Sequence, residues 1–285
     1  MSTKKMSTVI SDNLPVYEEK TKIPFGRHLI LGMLAGAFIA IGASSSMAAI
    51  YNITDPGLAK VLAGAIFPVG LIFVVMIGGE LFTGNCLLMF GILEKRVKKR
   101  RVTAALTGVF FANMLGALLI VILVNQCGQL DFGGGALGAT VIQTAYNKLN
   151  IPFGRALCSG ILCNILVCLA VLMAGTAHDV IGKIFAIFFP ILAFVIGGYE
   201  HCVANMYYIP AGLLAKENEA YYQAAIDMGM TAAQIESMSI KGYVLDNLVP
   251  VTIGNIIGGM FLVALPLYFV SKQAIKAEAK QKHFK

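Results

Sequence analysis

Long apolar stretches separated by short polar ones set the pattern of this chain. They lie at about 28–50, 58–93, 102–125, 153–175, 183–214 and 247–270, each long enough for the roughly 20 residues that cross a bilayer as a helix. Two of the six are interrupted. The second breaks at Gly78-Gly79-Glu80-Leu81-Phe82-Thr83-Gly84-Asn85 and the fifth at Gly197-Gly198-Tyr199-Glu200-His201-Cys202-Val203-Ala204-Asn205. Both interruptions read Glu-x-x-x-x-Asn after a glycine pair. A charge at mid-bilayer costs about 3 kcal/mol even on lenient scales, so such groups persist only where they face protein or a water-filled cavity. Matching interruptions in two halves of a chain point to a translocation site.

Composition agrees with that pattern. The chain of 285 residues is 58% hydrophobic and 13% charged, with a mean hydropathy of +0.78, whereas a soluble domain carries about 25% charged residues. In a soluble protein the net charge of +7 would suggest nucleic acid as a partner. Here the basic residues cluster beside the apolar stretches, so they orient the chain in a membrane and no nucleic acid is expected. Lys95, Arg96, Lys98, Lys99, Arg100 and Arg101 follow the second span, and both termini add more, whereas the loop 216–245 is acidic on balance. Both termini are therefore expected in the cytoplasm of a multi-pass plasma- or inner-membrane protein. Residues 1–23 read as a polar cytosolic tail with no leader peptide and a short interfacial helix near 17–22. Residues 128–151 read as a Gly-rich linker, 216–245 as a polar loop with a surface helix near Thr231 to Met238, and 272–285 as a Lys-rich cytosolic tail. The six cysteines form no CxxC or CxxH pair, so neither zinc nor a disulfide framework is indicated, and no cofactor is expected.

The chain also repeats itself. Lys20-Thr21-Lys22-Ile23-Pro24-Phe25-Gly26-Arg27 matches Lys148-Leu149-Asn150-Ile151-Pro152-Phe153-Gly154-Arg155, and Asn113-x-x-Gly116 matches Asn255-x-x-Gly258. Two units follow, 24–146 and 147–271, each with three spans. Three is odd, so the second unit enters from the opposite side, as in inverted-repeat transporters. The expected fold is an all-α membrane protein of six transmembrane helices, two inverted three-helix repeats with helices 2 and 5 broken.

Several residues carry candidate chemistry. Lys20 and Lys148 stand at equivalent positions on opposite faces, where each would draw anions into a vestibule; the plainer reading is a helix-end anchor. Lys148 sits on a side that needs no positive bias, which favours the vestibule cation. Of the histidines only His201 lies deep in a span; His28, His178 and His283 lie at edges or in the tail. A lone histidine in a soluble fold is most often structural, but within a bilayer an ionisable residue points to function. Metal binding is not expected, since zinc takes three or four ligands, whereas imidazole exchanges protons near neutral pH. Thr83 supplies a hydroxyl in the matching break, and Asn164, in mid-span, is placed to orient the same network. Glu80 and Glu200 either act as free carboxylates, favouring cations, or accept backbone N–H groups freed at the breaks. The second is the expectation, with Asn85 and Asn205 sharing that structural role. Phe67, Leu71, Leu81, Phe82 and Phe194 flank the breaks and are candidates for apolar constrictions, against ordinary packing as the alternative.

On Glu80-Leu81-Phe82-Thr83-Gly84-Asn85, Glu200-His201-Cys202-Val203-Ala204-Asn205-Met206, Ile209-Pro210, Lys148 and Asn164-x-x-Val167-Cys168-Leu169-Ala170, the sequence resembles the formate/nitrite transporter family from about residue 20 to 270. The resemblance implies an aquaporin-like protomer in a homopentamer, one pore per protomer. It implies small monovalent anions or their conjugate acids as cargo: formate, nitrite, hydrosulfide or lactate. It also implies Thr83 and His201 at the pore centre, Phe67, Leu71, Leu81 and Phe194 at its narrow points, and Lys20 and Lys148 in its vestibules. Gly84 stands where several relatives carry Ser. Formate, moving as anion or as protonated acid past Thr83 and His201 and accompanied by a proton, is the expected cargo, with nitrite or hydrosulfide as alternatives. An aquaporin-like neutral-solute channel is a rival, disfavoured by Lys148, His201 and the lack of Asn-Pro-Ala motifs. An intramembrane enzyme using Glu200 and His201 is another, and no Ser–His pair, HExxH or multi-histidine cluster supports it.

Overall fold

A computed structural model describes residues 3–282, with side chains through residue 274. The first helix is α1 (Met6–Lys20), followed by α2 (Phe25–Ile50), α3 (Pro56–Ile66), α4 (Val69–Ile77) and α5 (Met89–Leu93). Next come α6 (Lys99–Gln126), α7 (Ala136–Leu149), α8 (Phe153–Thr176) and α9 (Val180–Ile196). Then α10 (Cys202–Ala215), α11 (Glu219–Asp227) and α12 (Ala232–Ser237) lead to a last rod, α13. That rod joins Ile240–Gly242, Val249–Ile256 and Leu265–Lys282 through two π-helical stretches, Tyr243–Leu248 and Ile257–Ala264. Among the described residues there is no strand. Among the described residues five helical segments are long and apolar enough to cross a membrane: Phe25–Ile50, Pro56–Ile77 (α3 with α4), Lys99–Gln126, Phe153–Thr176 and Ile240–Ala274. Three shorter apolar ones, Gly84–Leu93, Val180–Ile196 and Cys202–Ala215, accompany them.

The glycine pairs explain the two interruptions. Gly78 ends α4 at φ 88°, a left-handed conformation that favours glycine, and Gly198 takes φ 66° just beyond α9. The chain then runs without helix to Thr83 in one case and to His201 in the other. Helix crossings rest on glycine too. A Cβ on Gly36 would lie 1.9 Å from the carbonyl oxygen of Asn113, and one on Gly116 the same distance from that of Met33, so α2 and α6 touch backbone to backbone. The pair α8 and α13 repeats this: a Cβ on Gly254 would lie 2.3 Å from the Leu157 carbonyl oxygen and one on Gly258 2.2 Å from that of Ile161. Small residues that permit such approach are how helices associate where lipid offers no hydrophobic driving force.

Three segments differ from the sequence reading. Instead of a loose tail with a short helix at 17–22, α1 begins at Met6 and buries Val9, Ile10, Leu14 and Tyr17; apolar burial holds it on the helical body. The stretch read as a Gly-rich linker is helical from Ala136 on, and α7 buries Leu137, Val141, Ile142 and Ala145, a period-3.6 stripe behind the Gly133-Gly134-Gly135 turn. The stretch read as a tail from residue 272 continues α13 through Lys282; His283 lies outside the described residues. The loop helix near Thr231 is α12, closed at its start by a capping box between Thr231 and Gln234.

Candidate functional site

The two non-helical breaks meet at one short contact. Thr83 Oγ1 lies 2.8 Å from His201 Nε2, both groups buried, although 118 residues separate them. His201 is also the N-cap of α10, and its Nδ1 accepts the N–H of Ala204 at 3.1 Å. A nitrogen accepting an N–H carries no proton, so the neutral ring holds its hydrogen on Nε2 and donates it to Thr83 Oγ1. The threonine hydroxyl, with that lone pair occupied, keeps its own O–H free to donate elsewhere.

Each break carries the same charged cluster, built from different elements. In the first half Lys20 Nζ donates to Glu80 Oε2 at 3.1 Å and to Asn85 Oδ1 at 3.0 Å, and Asn85 Nδ2 donates to Glu80 Oε2 at 2.7 Å. In the second, Lys148 Nζ donates to Glu200 Oε1 at 2.8 Å and Asn205 Nδ2 to Glu200 Oε2 at 2.7 Å. The carboxylate side chains are 5% exposed, their lysine partners 26% and 16%. A buried carboxylate is tolerable only when paired and further hydrogen-bonded, and the asparagine five residues on supplies that second bond in both halves. The expectation that Glu80 and Glu200 take up freed backbone N–H groups is therefore corrected: they bind lysine ammonium and asparagine amide groups. The halves differ in detail. Asn205 Nδ2 also donates to Asn247 Oδ1 at 2.7 Å, and Lys148 Nζ lies over the Tyr208 ring, 5.1 Å from its centroid.

The freed backbone groups go instead to two asparagines. Asn113 Oδ1 accepts the Phe82 N–H at 2.9 Å, and its Nδ2 donates to the carbonyls of Gly32 and Glu80 at 2.7 and 2.8 Å. Asn255 Oδ1 accepts the Cys202 N–H at 2.9 Å, and its Nδ2 donates to the carbonyls of Gly160 and Glu200 at 2.8 and 3.0 Å. In the sequence this pair stood out only as part of the repeat.

Apolar side chains close the contact off. Phe67 and Phe194 meet edge to face with centroids 5.4 Å apart, and Phe194 lies 6.1 Å from the His201 ring. Leu71 and Leu81 line a cavity of about 740 Å³ whose walls also carry Lys20, Glu80, Asn85 and Arg27. His201 is not among its lining residues. Phe82 makes its ring contact elsewhere. It packs on Phe110, centroids 5.2 Å apart, and lines a second crevice with Leu106 and Met260, whereas its neighbour Leu81 lines the larger cavity. Asn164 has its hydrogen-bond partners away from His201: its Nδ2 donates to the Asn255 carbonyl at 2.6 Å, and its Oδ1 lies 3.7 Å from Cys168 Sγ. Cys168 Sγ also lies 3.5 Å from the Thr83 carbonyl oxygen, so Asn164 is linked to the central network indirectly, through this thiol and through Asn255. Among the described residues no cluster of three or more His, Cys, Asp or Glu side chains is arranged to hold a metal ion.

Known proteins resemble this chain in sequence and in fold. A family model described as formate/nitrite transporter matches residues 9–269. The "Formate channel FocA" of Escherichia coli K12 is 34% identical over 265 residues, covering 92% of this chain and 91% of its own. A solved structure described as a pentameric formate channel with formate bound superposes with a TM-score of 0.76 at 30% identity, over 86% of this chain and 97% of that one. The aquaglyceroporin of Plasmodium falciparum, 14% identical, superposes with a TM-score of 0.52 over 87% of this chain and all of that one, a likeness of fold alone. Spanned almost end to end by the family model and by a channel relative, this chain is an integral membrane protein belonging to the formate/nitrite transporter family.

Proposed function

We propose that the chain conducts a small monovalent anion, formate in the first place, across the membrane as its neutral conjugate acid. The observation that carries the reading is the buried Thr83–His201 contact of 2.8 Å, set between apolar side chains and two lysine–glutamate–asparagine clusters. In this reading the units 24–146 and 147–271 are inverted three-helix repeats, both termini are cytoplasmic, and the protein assembles as a homopentamer with a pore in each protomer. The repeated cluster geometry and the pentameric relative support it.

The steps follow from charge and solvation. Lys20, Lys22, Arg27 and Lys183 surround the cavity on one side and draw the anion in, the low-dielectric walls focusing their field. Their effect is tempered at Lys20 by its pairing with Glu80. Leu71 and Leu81 in the cavity wall and the buried Phe67 and Phe194 offer nothing to an ion. A bare carboxylate there pays the full cost of desolvation, whereas the acid is neutral. The anion therefore takes a proton from hydronium in the vestibule, leaving water, and returns it to water on the far side. His201 does not supply that proton. Its only N–H is the one given to Thr83, and losing it would leave an imidazolate in an apolar neck. What the pair supplies is a fixed donor: the Thr83 O–H bonds a cargo oxygen as it passes, replacing one water. The apolar side chains meet across the neck, so passage requires them to rotate.

Flux into proteoliposomes tests the reading. Formate should enter with the parent protein, slow with His201→Phe, which removes the partner of Thr83, and slow with Lys148→Ala, which leaves Glu200 unpaired. Parent-like flux in both variants would reject it.

A further inference from the structure

Asn113 and Asn255 make the same three hydrogen bonds, one set in each half, and nothing in the transport steps above uses them. From these contacts we infer that the two side-chain amides are positioning residues for the central contact, each holding one partner of the Thr83–His201 pair at bonding distance. The inference rests on that pair acting as proposed. Each amide brackets a single residue. Asn255 accepts the N–H that follows His201 and donates to the carbonyl that precedes it; Asn113 does the same around Leu81, whose next neighbour but one is Thr83. A carboxamide presents one acceptor and a donor side by side, and this fork matches the C=O of residue i−1 and the N–H of residue i+1 only when residue i is extended, as across a β-ladder. His201 has φ −111° and ψ 115°, within the extended region. The amide thus acts as a one-residue strand partner, and an extended His201 can turn Nδ1 onto the Ala204 N–H and Nε2 onto Thr83.

The second Nδ2 hydrogen ties each bracket to the opposing helix. Asn113 reaches the Gly32 carbonyl and Asn255 that of Gly160, over crossings so close that a Cβ on Gly160 would lie 3.3 Å from Asn255 Nδ2. The asparagines are fully buried, so no water competes for these bonds. Two struts add to the frame: Asn164 Nδ2 to the Asn255 carbonyl and Cys168 Sγ to the Thr83 carbonyl. Break, bracket and helix crossing form one rigid unit in each half, and the central bond forms where the two units meet.

Asn255→Asp is the decisive variant, because the isosteric carboxylate still accepts the Cys202 N–H but cannot donate to the Glu200 and Gly160 carbonyls. Asn255→Ala removes the bracket entirely, and Asn113→Asp makes the equivalent change on the side of Thr83. Two readouts are taken on each protein after size exclusion: formate flux into proteoliposomes, and the ring ¹⁵N spectrum of His201, assigned by difference with His201→Phe. The expectation for both Asn255 variants is flux lower by at least about tenfold, the scale on which a misplaced positioning group acts, together with loss of the single Nε2–H tautomer. Asn113→Asp should lower flux while the tautomer, fixed by the Ala204 cap, persists. Parent-like tautomer in both Asn255 variants would overturn the inference whatever the flux, and so would failure of Asn255→Asp to fold, which would make the amide a purely structural residue. The tautomer is read without transport, so a parent protein that conducts no formate would reject the proposed function and leave this readout to decide the positioning role separately.

Discussion

Replacing Thr83 by valine removes one oxygen and nearly nothing else. Thr83 is fully buried and its Oγ1 makes a single side-chain bond, to His201 Nε2 at 2.8 Å. Two consequences follow. In the resting protein the Nε2–H loses its acceptor, and an unsatisfied buried donor costs about 1–3 kcal/mol of stability. In transport, a cargo oxygen in the neck loses its donor, which raises the barrier by the same kind of amount, about 1–3 kcal/mol. At 1.36 kcal/mol per factor of ten, flux falls by roughly five- to 150-fold. Thr83→Ser keeps the hydroxyl and loses only a methyl group, so it should stay within a few-fold of the parent. Stopped-flow uptake of formate into proteoliposomes, followed by an internal pH dye and normalised to protein of equal elution volume, measures all three. Valine as fast as the parent, or serine as slow as valine, would refute the argument that the hydroxyl is the donor in the neck.

Other expectations concern the frame. Gly36→Ala would set a Cβ 1.9 Å from the Asn113 carbonyl oxygen. Backbone cannot yield as a side chain does, so the loss should exceed the roughly 3 kcal/mol of ordinary overpacking and appear as aggregation on size exclusion. Gly108→Ala meets nothing within 4 Å and should change the thermal midpoint little, helix propensity giving at most about 1 kcal/mol. Tyr221, outside the membrane-spanning helices, donates to Asp131 Oδ1 at 2.6 Å, and burial with that bond pushes its phenol up to about 12. A group whose folded pKa is raised stabilises below its unfolded value near 10 and loses that contribution as pH rises towards 12. The docking of α11 should thus weaken across this window, followed by ultraviolet titration of tyrosinate, and Tyr221→Phe should abolish the dependence. Cys127 is exposed at the end of α6, and Cys158 is the other exposed thiol; in a Cys158→Ser background with cytoplasmic termini, Cys127 should react with an impermeant maleimide from outside intact cells, and Cys127→Ser should remove that signal. Labelling only after lysis would reverse the proposed orientation.

The breaks were legible because a glycine pair, a carboxylate and an amide inside an apolar run are costly in lipid and so stand out. Thr83 and His201 were marked for the same reason, and the structure brings them together. What the sequence withheld depended on distance along the chain. That Glu80 meets Lys20 and Glu200 meets Lys148, 60 and 52 residues away, follows from how helices cross. No local pattern separates that pairing from satisfaction by neighbouring N–H groups. Nearness in sequence or in depth does not give a side chain's direction: Phe82 turns to Phe110 and Asn164 to the Asn255 carbonyl. Helix α1 hid its buried stripe behind charged neighbours, and α7 hid behind three glycines. An i, i+4 count from Leu137 through Val141 to Ala145 would have found the second. Asn113 and Asn255 were visible only as a repeat, since a buried amide reveals its partners only in three dimensions.

The central claim is that cargo crosses the neck without charge. Its most direct test is formate flux into proteoliposomes under an imposed potassium diffusion potential, with proton movement recorded together with labelled formate. Acid passage predicts one proton for each formate and a rate that the potential leaves unchanged. A formate current that follows the potential, with no proton accompanying it, would contradict the account.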